Sequence, residues 1–400
     1  MFKRYTPTLF VALVNFTVFV AINGFQLITQ TPLFYINKWI MTGVDYHDFY
    51  QASVRIISGG NPYEVGRFVT PPLFAFVNLP LAIPKFDIAR FIFVALIPIT
   101  VLISYLVIHR AVNEQGEKQD AYLHLDALII IFLSYPLYFL FERGNIDGVV
   151  LICMCIGLVK IDRYPHIGGF LIAASIHFKV YPLLLLIPLF ASRRWKQLFW
   201  TCAWLLVIAL LLAPYWDDYF SLLTKRSNSF QLFENGSLIN TFLFLGRLLS
   251  MTFNGRDFLW SYAPTYATIL FSLALAVSAL ADYRILPHKD NKTNLVNSLL
   301  YFPFMVAFPK SVYHYEFVVL IPLLPVLNYL WSGASQPSQK FAVSMIVIGV
   351  ALSQWHAVAL YLITENIGAY YIPGVGLLCL ILGISVYKWQ NLRQFVRTGI

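Results

Sequence analysis

The chain has 400 residues, of which 28 are Lys or Arg and 19 are Asp or Glu, so charged side chains make up 12% where a soluble globular domain carries about 25%. With 59% of residues apolar, 17% aromatic and a mean hydropathy of +0.69, the apolar side chains exceed what a single water-soluble core hides, and a soluble fold is excluded. They fall in long unbroken runs instead of short alternating segments, which excludes an outer-membrane barrel and leaves a polytopic all-α membrane protein.

In chain order, apolar runs lie near residues 8–28, 70–84, 88–108, 124–141, 148–160, 166–190, 196–214, 262–281, 295–308, 316–331, 341–363 and 369–387. They predict about 10–12 transmembrane helices of the roughly twenty residues a bilayer requires, in a single transmembrane domain over residues 1–400. The run from Thr8 to Ile28 follows Lys3 and Arg4 and is taken as a retained span, not a signal peptide. The net charge of +9 comes from short basic clusters at the ends of runs, which is the positive-inside pattern and argues against a nucleic-acid partner. Lys3/Arg4, Arg193/Arg194/Lys196, Arg284/Lys289/Lys292, Lys340 and Lys388/Arg393/Arg397 are therefore expected on the cytoplasmic side. Loops 29–69 and 215–261 and the segment Pro309 to Glu316 then meet over the extracytoplasmic face. Runs 70–84 and 148–160 are short, and Lys160 and Arg163 fall on the wrong side if every run crosses, so one of the two runs is expected to be re-entrant. Cys153, Cys155, Cys202 and Cys379 lie inside apolar runs and are expected to be small packing residues, not disulfide partners.

The first long loop carries Val44-Asp45-Tyr46-His47-Asp48-Phe49-Tyr50-Gln51-Ala52-Ser53. Asp45 and Asp48 stand three residues apart, on one side of a helical turn. Either they begin a solvated helix, with Asp45 as N-cap and the aromatics as an interfacial belt, or they do chemistry. Phe49 to Ser58 is amphipathic enough to lie along the interface before Gly59-Gly60-Asn61-Pro62-Tyr63 breaks it. Further on, Arg143 follows Glu142, and its charge is either paired there or functional. His177 and Lys179 sit in a run long enough to span, where an ionisable group is a functional-site hypothesis unless the lysine snorkels from a helix ended by Pro182. Asn235 to Leu238 is either a turn with an Asn-x-Ser pattern or an acceptor contact. His314, near Lys310 and between Tyr313 and Tyr315, is either a phosphate-binding group or part of an aromatic belt.

Asp45, Phe49-Tyr50-Gln51-Ala52, Gly60-Asn61-Pro62-Tyr63 and Thr70-Pro71-Pro72-Leu73 together resemble the first-loop signature of GT-C glycosyltransferases, and of glycosyltransferase family 87 in particular, the polyprenol-phosphate-mannose-dependent mannosyltransferases. The resemblance continues through Arg143-Gly144-Asn145, His177-Phe178-Lys179-Val180-Tyr181-Pro182, Arg193-Arg194-Trp195, Asn235-Gly236-Ser237-Leu238 and Pro309-Lys310-Ser311-Val312-Tyr313-His314-Tyr315. Arg143-Gly144-Asn145 and His177 to Pro182 also resemble the catalytic subunit of GPI mannosyltransferase I. This likeness implies Asp45 as general base and His314 as the group serving the leaving phosphate. Asp48, Tyr63, Arg143, Asn145, His177, Lys179, Asn235, Ser237 and Lys310 are then the candidate substrate-binding residues. Where the GPI relatives show Asp-x-Asp, this chain has Gly43-Val44-Asp45, a poor divalent-cation site, so neither a metal nor a cofactor is expected.

The expected activity is transfer of a hexose, mannose, from a polyprenyl-phosphate sugar to a lipid-linked or cell-envelope glycan acceptor, with inversion. The partners are the lipid donor, a glycolipid or glycan acceptor and membrane lipid. The expected location is a bacterial inner membrane with the site outside the cytoplasm, an endoplasmic-reticulum membrane being the other possibility. The rival reading is a transporter or flippase of a lipid-linked sugar. It would share a lipid groove and a basic phosphate site, but it needs no carboxylate poised at a loop–helix junction.

Overall fold

A computed structural model describes residues 43–113, 131, 134–226, 241–242, 262–307, 314–354 and 372–398. Every regular element among them is an α-helix or a 3-10 segment. Four helical segments, Phe86–Asn113, Pro264–Ile285, Glu316–Gly333 and Ile372–Val396, are long and apolar enough to cross a bilayer, and Trp195–Leu211 with Ala213–Lys225 reaches that length only as a pair bent by 66°. The described part is thus that of a helical polytopic membrane protein.

Helix α1 (Val44–Ile57) starts at Gly43, whose left-handed backbone (φ 84°) forms the N-cap, so Asp45 lies in the first turn and not at the cap. Its apolar face enters the protein interior: Tyr46 is stacked on Phe93, and Phe49 packs edge-on to Phe74. Ser53 Oγ donates to the Ala75 carbonyl. Tertiary burial of Tyr46, Phe49 and Ala52 takes up the apolar stripe of this amphipathic helix. The run 70–84 becomes α2 (Leu73–Val77) and α3 (Leu79–Ala82), two short helices hinged at Asn78. With Pro71, Pro72, Pro80 and Pro84 along it, no continuous span can form there.

The long α4 (Phe86–Asn113) is followed by α5 (Tyr135–Arg143), α6 (Asp147–Lys160) and α7 (Pro165–Phe178). After α7 the chain reverses. Lys179 is extended (φ −147°, ψ 143°), Pro182 stands at the start of a 3-10 turn (Tyr181–Leu185), and α8 (Leu186–Ala191) returns. Arg194 Nη1 lies 3.2 Å from Asp162 Oδ1, which ties the start of α9 (Trp195–Leu211) to the turn before α7. Run 166–190 is thus a hairpin with both feet on one face and Lys179 at its apex, not the single span its length suggests. Asp162 and Arg163 line a cavity of about 500 Å³ with Asp290 and Lys292. Lys160 and Arg163 consequently share a face with the basic cluster at 284–292, and the charge conflict posed by the sequence disappears because run 70–84 does not cross.

Helix α10 (Trp216–Arg226) joins the first loop, with Asn61 Nδ2 donating to Asp218 Oδ2 at 2.6 Å and Tyr63 packed against Tyr219. Next come α11 (Ala263–Ile285), α12 (Asn291–Leu299) and α13 (Phe302–Ala307). A 3-10 segment (His314–Leu323) then runs into α14 (Leu324–Gly333). Helices α15 (Pro337–Ser353) and α16 (Ile372–Thr398) cross in close contact, a Cβ added at Gly376 meeting the Gly349 carbonyl oxygen at 2.8 Å. At the far end of α11, Lys388 Nζ lies 2.5 Å from Asp282 Oδ2, and Tyr301 donates to the same oxygen at 2.8 Å, so the buried charges are paired. Cys155 is buried but Cys202 is exposed, and all four cysteines are free thiols.

Candidate active site

The Arg143-Gly144-Asn145 stretch is the joint between α5 and α6. Gly144 caps α5 in the left-handed region (φ 63°), which turns the chain so that Arg143 and Asn145 face the same target. That target is Asp45. Arg143 Nη2 donates to its Oδ1 at 2.6 Å and Asn145 Nδ2 to its Oδ2 at 2.7 Å. The backbone fixes this approach, since Gly43 N–H donates to the Glu142 carbonyl at 2.6 Å. A Cβ on Gly144 would stand 2.9 Å from Gly43 Cα and 3.1 Å from Tyr46 Cβ. Gly144→Ala therefore carries about 1–2 kcal/mol of left-handed backbone cost as well as a clash. It is expected to displace the Asp45 carboxylate and lower turnover roughly a hundredfold in a purified protein that still elutes as a folded species.

Two residues beyond Asn145, Asp147 opens α6 with no exposed surface. Lys179, at the hairpin apex, donates to Asp147 Oδ2 at 2.8 Å, and the Tyr181 hydroxyl donates to Oδ1 at 2.8 Å. Lys179 Nζ also lies 3.7 Å from Glu316 Oε1. Asp45 is near enough for its charge to act on both Lys179 and Glu316. Three carboxylates and two cations thus form one polar cluster at the ends of α1, α5, α6 and the hairpin. Two of its acceptor oxygens, Asn145 Oδ1 and Glu316 Oε2, are buried without a hydrogen-bond partner among the described residues.

Of the residues singled out from the sequence, Asp45, Arg143, Asn145 and Lys179 are brought together. Arg143 reaches Asp45 across the joint, and Lys179 is paired inward with Asp147 where snorkelling to water was the alternative. Asp48 points elsewhere, toward His47 (3.6 Å), and burial raises its carboxyl above the usual range against the pull of His47 and Arg67. Tyr63 is buried with its hydroxyl donated to the Thr70 carbonyl at 3.0 Å, so it packs the loop and does not join the cluster. His177 Nε2 lies 3.0 Å from the Leu205 carbonyl and its ring rests near Trp216, on the α9 side of the hairpin, away from Asp45. Tyr46 and Phe49 are core residues with no face left for a sugar. Asn235, Ser237 and Lys310 lie outside the described residues. His314 begins the 3-10 segment that carries Glu316, and its side chain is likewise outside them. Asp147, Tyr181 and Glu316 were missed. A lysine inside an apolar run demands a counter-ion, and asking which acids border the neighbouring runs would have raised Asp147 and Glu316.

In this helical membrane protein a carboxylate is thus clamped at the start of the first-loop helix, with a part-buried lysine within range of its charge. The sequence profile of glycosyltransferase family 87 matches residues 68–309, and the chain belongs to that family. Arg143, Asn145, Asp147 and Lys179 fall inside the matched stretch, while Asp45 and Glu316 lie beyond its two ends. The chain is also similar to GPI mannosyltransferase 1 of Saccharomyces cerevisiae, 29% identical over 152 residues, and to that of Eremothecium gossypii, 26% over 153 residues. Each match covers 37% of this chain and 36% of the relative, so the chain matches about a third of the length of these curated relatives.

Proposed function

We propose that the protein transfers mannose from a polyprenyl-phosphate carrier to a lipid-linked or cell-envelope glycan acceptor, at the extracytoplasmic face of a bacterial inner membrane and with inversion. The observation that carries this reading is the Asp45 carboxylate, held by Arg143 and Asn145 within range of the Lys179 charge. The guanidinium and amide N–H donors occupy two of about four lone-pair positions on that carboxylate, leaving room for an acceptor hydroxyl. In the reaction Asp45 takes the hydroxyl proton as the oxygen bonds to the anomeric carbon. The bond from that carbon to the phosphate oxygen breaks with its electron pair going to phosphate, and the carrier leaves as a lipid phosphomonoester. Lys179 and Arg143, joined by His314, meet the charge that develops there. The mannosyl donor is supported by the similarity to the two GPI mannosyltransferases.

The deciding assay uses purified protein in lipid nanodiscs with labelled polyprenyl-phosphate mannose and an acceptor glycolipid. Labelled acceptor supports the proposal, and translocation without transfer in liposomes would replace it by the flippase reading. Because Gly43-Val44-Asp45 lacks the second acid of an Asp-x-Asp pair and the Asp45 charge is already paired with Arg143, turnover is expected to persist in excess EDTA. Loss in chelator and recovery with magnesium or manganese would show that a metal takes part.

A further inference from the structure

Glu316 is 8% exposed and Asn145 is 5% exposed, yet one oxygen of each has no hydrogen-bond partner among the described residues. Buried acceptors left unmet cost free energy comparable to a lost hydrogen bond or more, and native structures rarely keep them without use. Glu316 is the sharper case. Its Oε1 faces Lys179 at 3.7 Å, but that ammonium is more closely bonded to Asp147 at 2.8 Å, so one cation serves two carboxylates and Oε2 is left over. What Oε2 calls for is a neutral donor, which satisfies the oxygen without crowding the site with charge.

A lipid-phosphate sugar offers two kinds of group. Its phosphate is anionic and is repelled by a carboxylate, while Lys179 attracts it. Its hydroxyls are neutral donors placed a few bonds from that phosphate. With the phosphate near Lys179, the part of the donor that can approach the adjacent Glu316 is the hydroxyl-bearing face of the hexose. We infer that Glu316 is a specificity-determining residue, whose Oε2 accepts a hydrogen bond from a hydroxyl of the transferred hexose. The inference rests on the proposed transfer reaction and names a subsite within it.

The test is a cycle between residue and hydroxyl. Wild type and Glu316→Ala are assayed for kcat/KM with polyprenyl-phosphate mannose and with its 2-, 3-, 4- and 6-deoxy analogues. Glu316→Ala is a suitable partner because it leaves Lys179 and Asp147 as a matched pair, and its elution profile and thermal melting in detergent are checked beside the wild type. For one of the four positions, loss of the hydroxyl is expected to slow the wild type by roughly ten- to a hundredfold, as hydrogen bonds to charged groups do. In Glu316→Ala the same deoxy donor is expected to lose no more than about twofold relative to the full donor. If all four analogues lose as much in the variant as in the wild type, Glu316 holds no donor hydroxyl and the inference falls while the transfer reaction stands. Absence of transfer by the wild type from the full donor overturns the transfer reading, and this subsite with it. A loss that tracks deoxygenation of the acceptor, not the donor, likewise refutes the assignment.

Discussion

Replacing Asp45 by Asn is expected to lower turnover by about two to four orders of magnitude while leaving the fold in place, because the amide keeps the size of the carboxylate and loses its basicity. The surroundings sharpen this expectation. Asn145 and Arg143 both donate toward position 45; an amide can accept with its oxygen but presents its own donors to one of them, so its ring of contacts loosens as the base is lost. Asp48→Asn is the control. Its carboxylate is turned to His47, while Arg143 and Asn145 donate to Asp45, so a change of no more than severalfold is expected. Equal losses at both positions, measured as kcat with saturating donor, would mean that the two acids act together; near-normal turnover in the Asp45 variant would remove it as the base.

A second large effect is expected at the hairpin apex. Lys179→Met preserves most of the side-chain volume but strands Asp147, which has no exposed surface, and Glu316 beside each other without their cation. Removing one partner of a buried pair costs about 3–5 kcal/mol, measurable by reversible unfolding in SDS and mixed micelles. Turnover should fall as well, by at least a hundredfold, since the phosphate loses its nearest ammonium. Stability and activity can be separated. Adding Asp147→Asn and Glu316→Gln to Lys179→Met removes the stranded charges and is expected to recover most of the stability and none of the turnover. Recovery of both would make Lys179 a purely structural residue.

The sequence made the all-α membrane class legible through composition alone, because lipid-facing and buried helices both require apolar side chains and few charges. Individual elements were harder. Run 166–190 has few polar residues, His166, Ser175, His177 and Lys179, so hydropathy cannot distinguish a span from a hairpin; at the reversal Lys179 meets Asp147, a partner more than thirty positions away. Run 70–84 was visibly short, and its prolines explain why it folds as two separate turns. At the site, Asp45, Arg143, Asn145 and Lys179 were found by resemblance, and spacing alone would not have joined residues a hundred positions apart. Tyr63 and His177 carry the same motif signal, but their polar atoms are spent on the Thr70 and Leu205 carbonyls. Glu316 escaped because an acid at the head of an apolar run looks like an ordinary boundary charge.

The 3-10 winding that begins at His314 sets how far the chain reaches. The segment Glu316–Gly333 has 18 residues, and as a uniform α-helix at about 1.5 Å per residue it would extend about 27 Å, short of a hydrocarbon layer of about 30 Å. Winding residues 316–323 at about 2.0 Å per residue lengthens it to about 31 Å. Those few ångströms bring the reach of the segment up to about the thickness of the apolar layer. A single inserted helical residue would not substitute for that stretch, because it would swing Glu316 about 100° around the axis and away from Lys179. Reach and orientation are therefore solved together by the tighter winding.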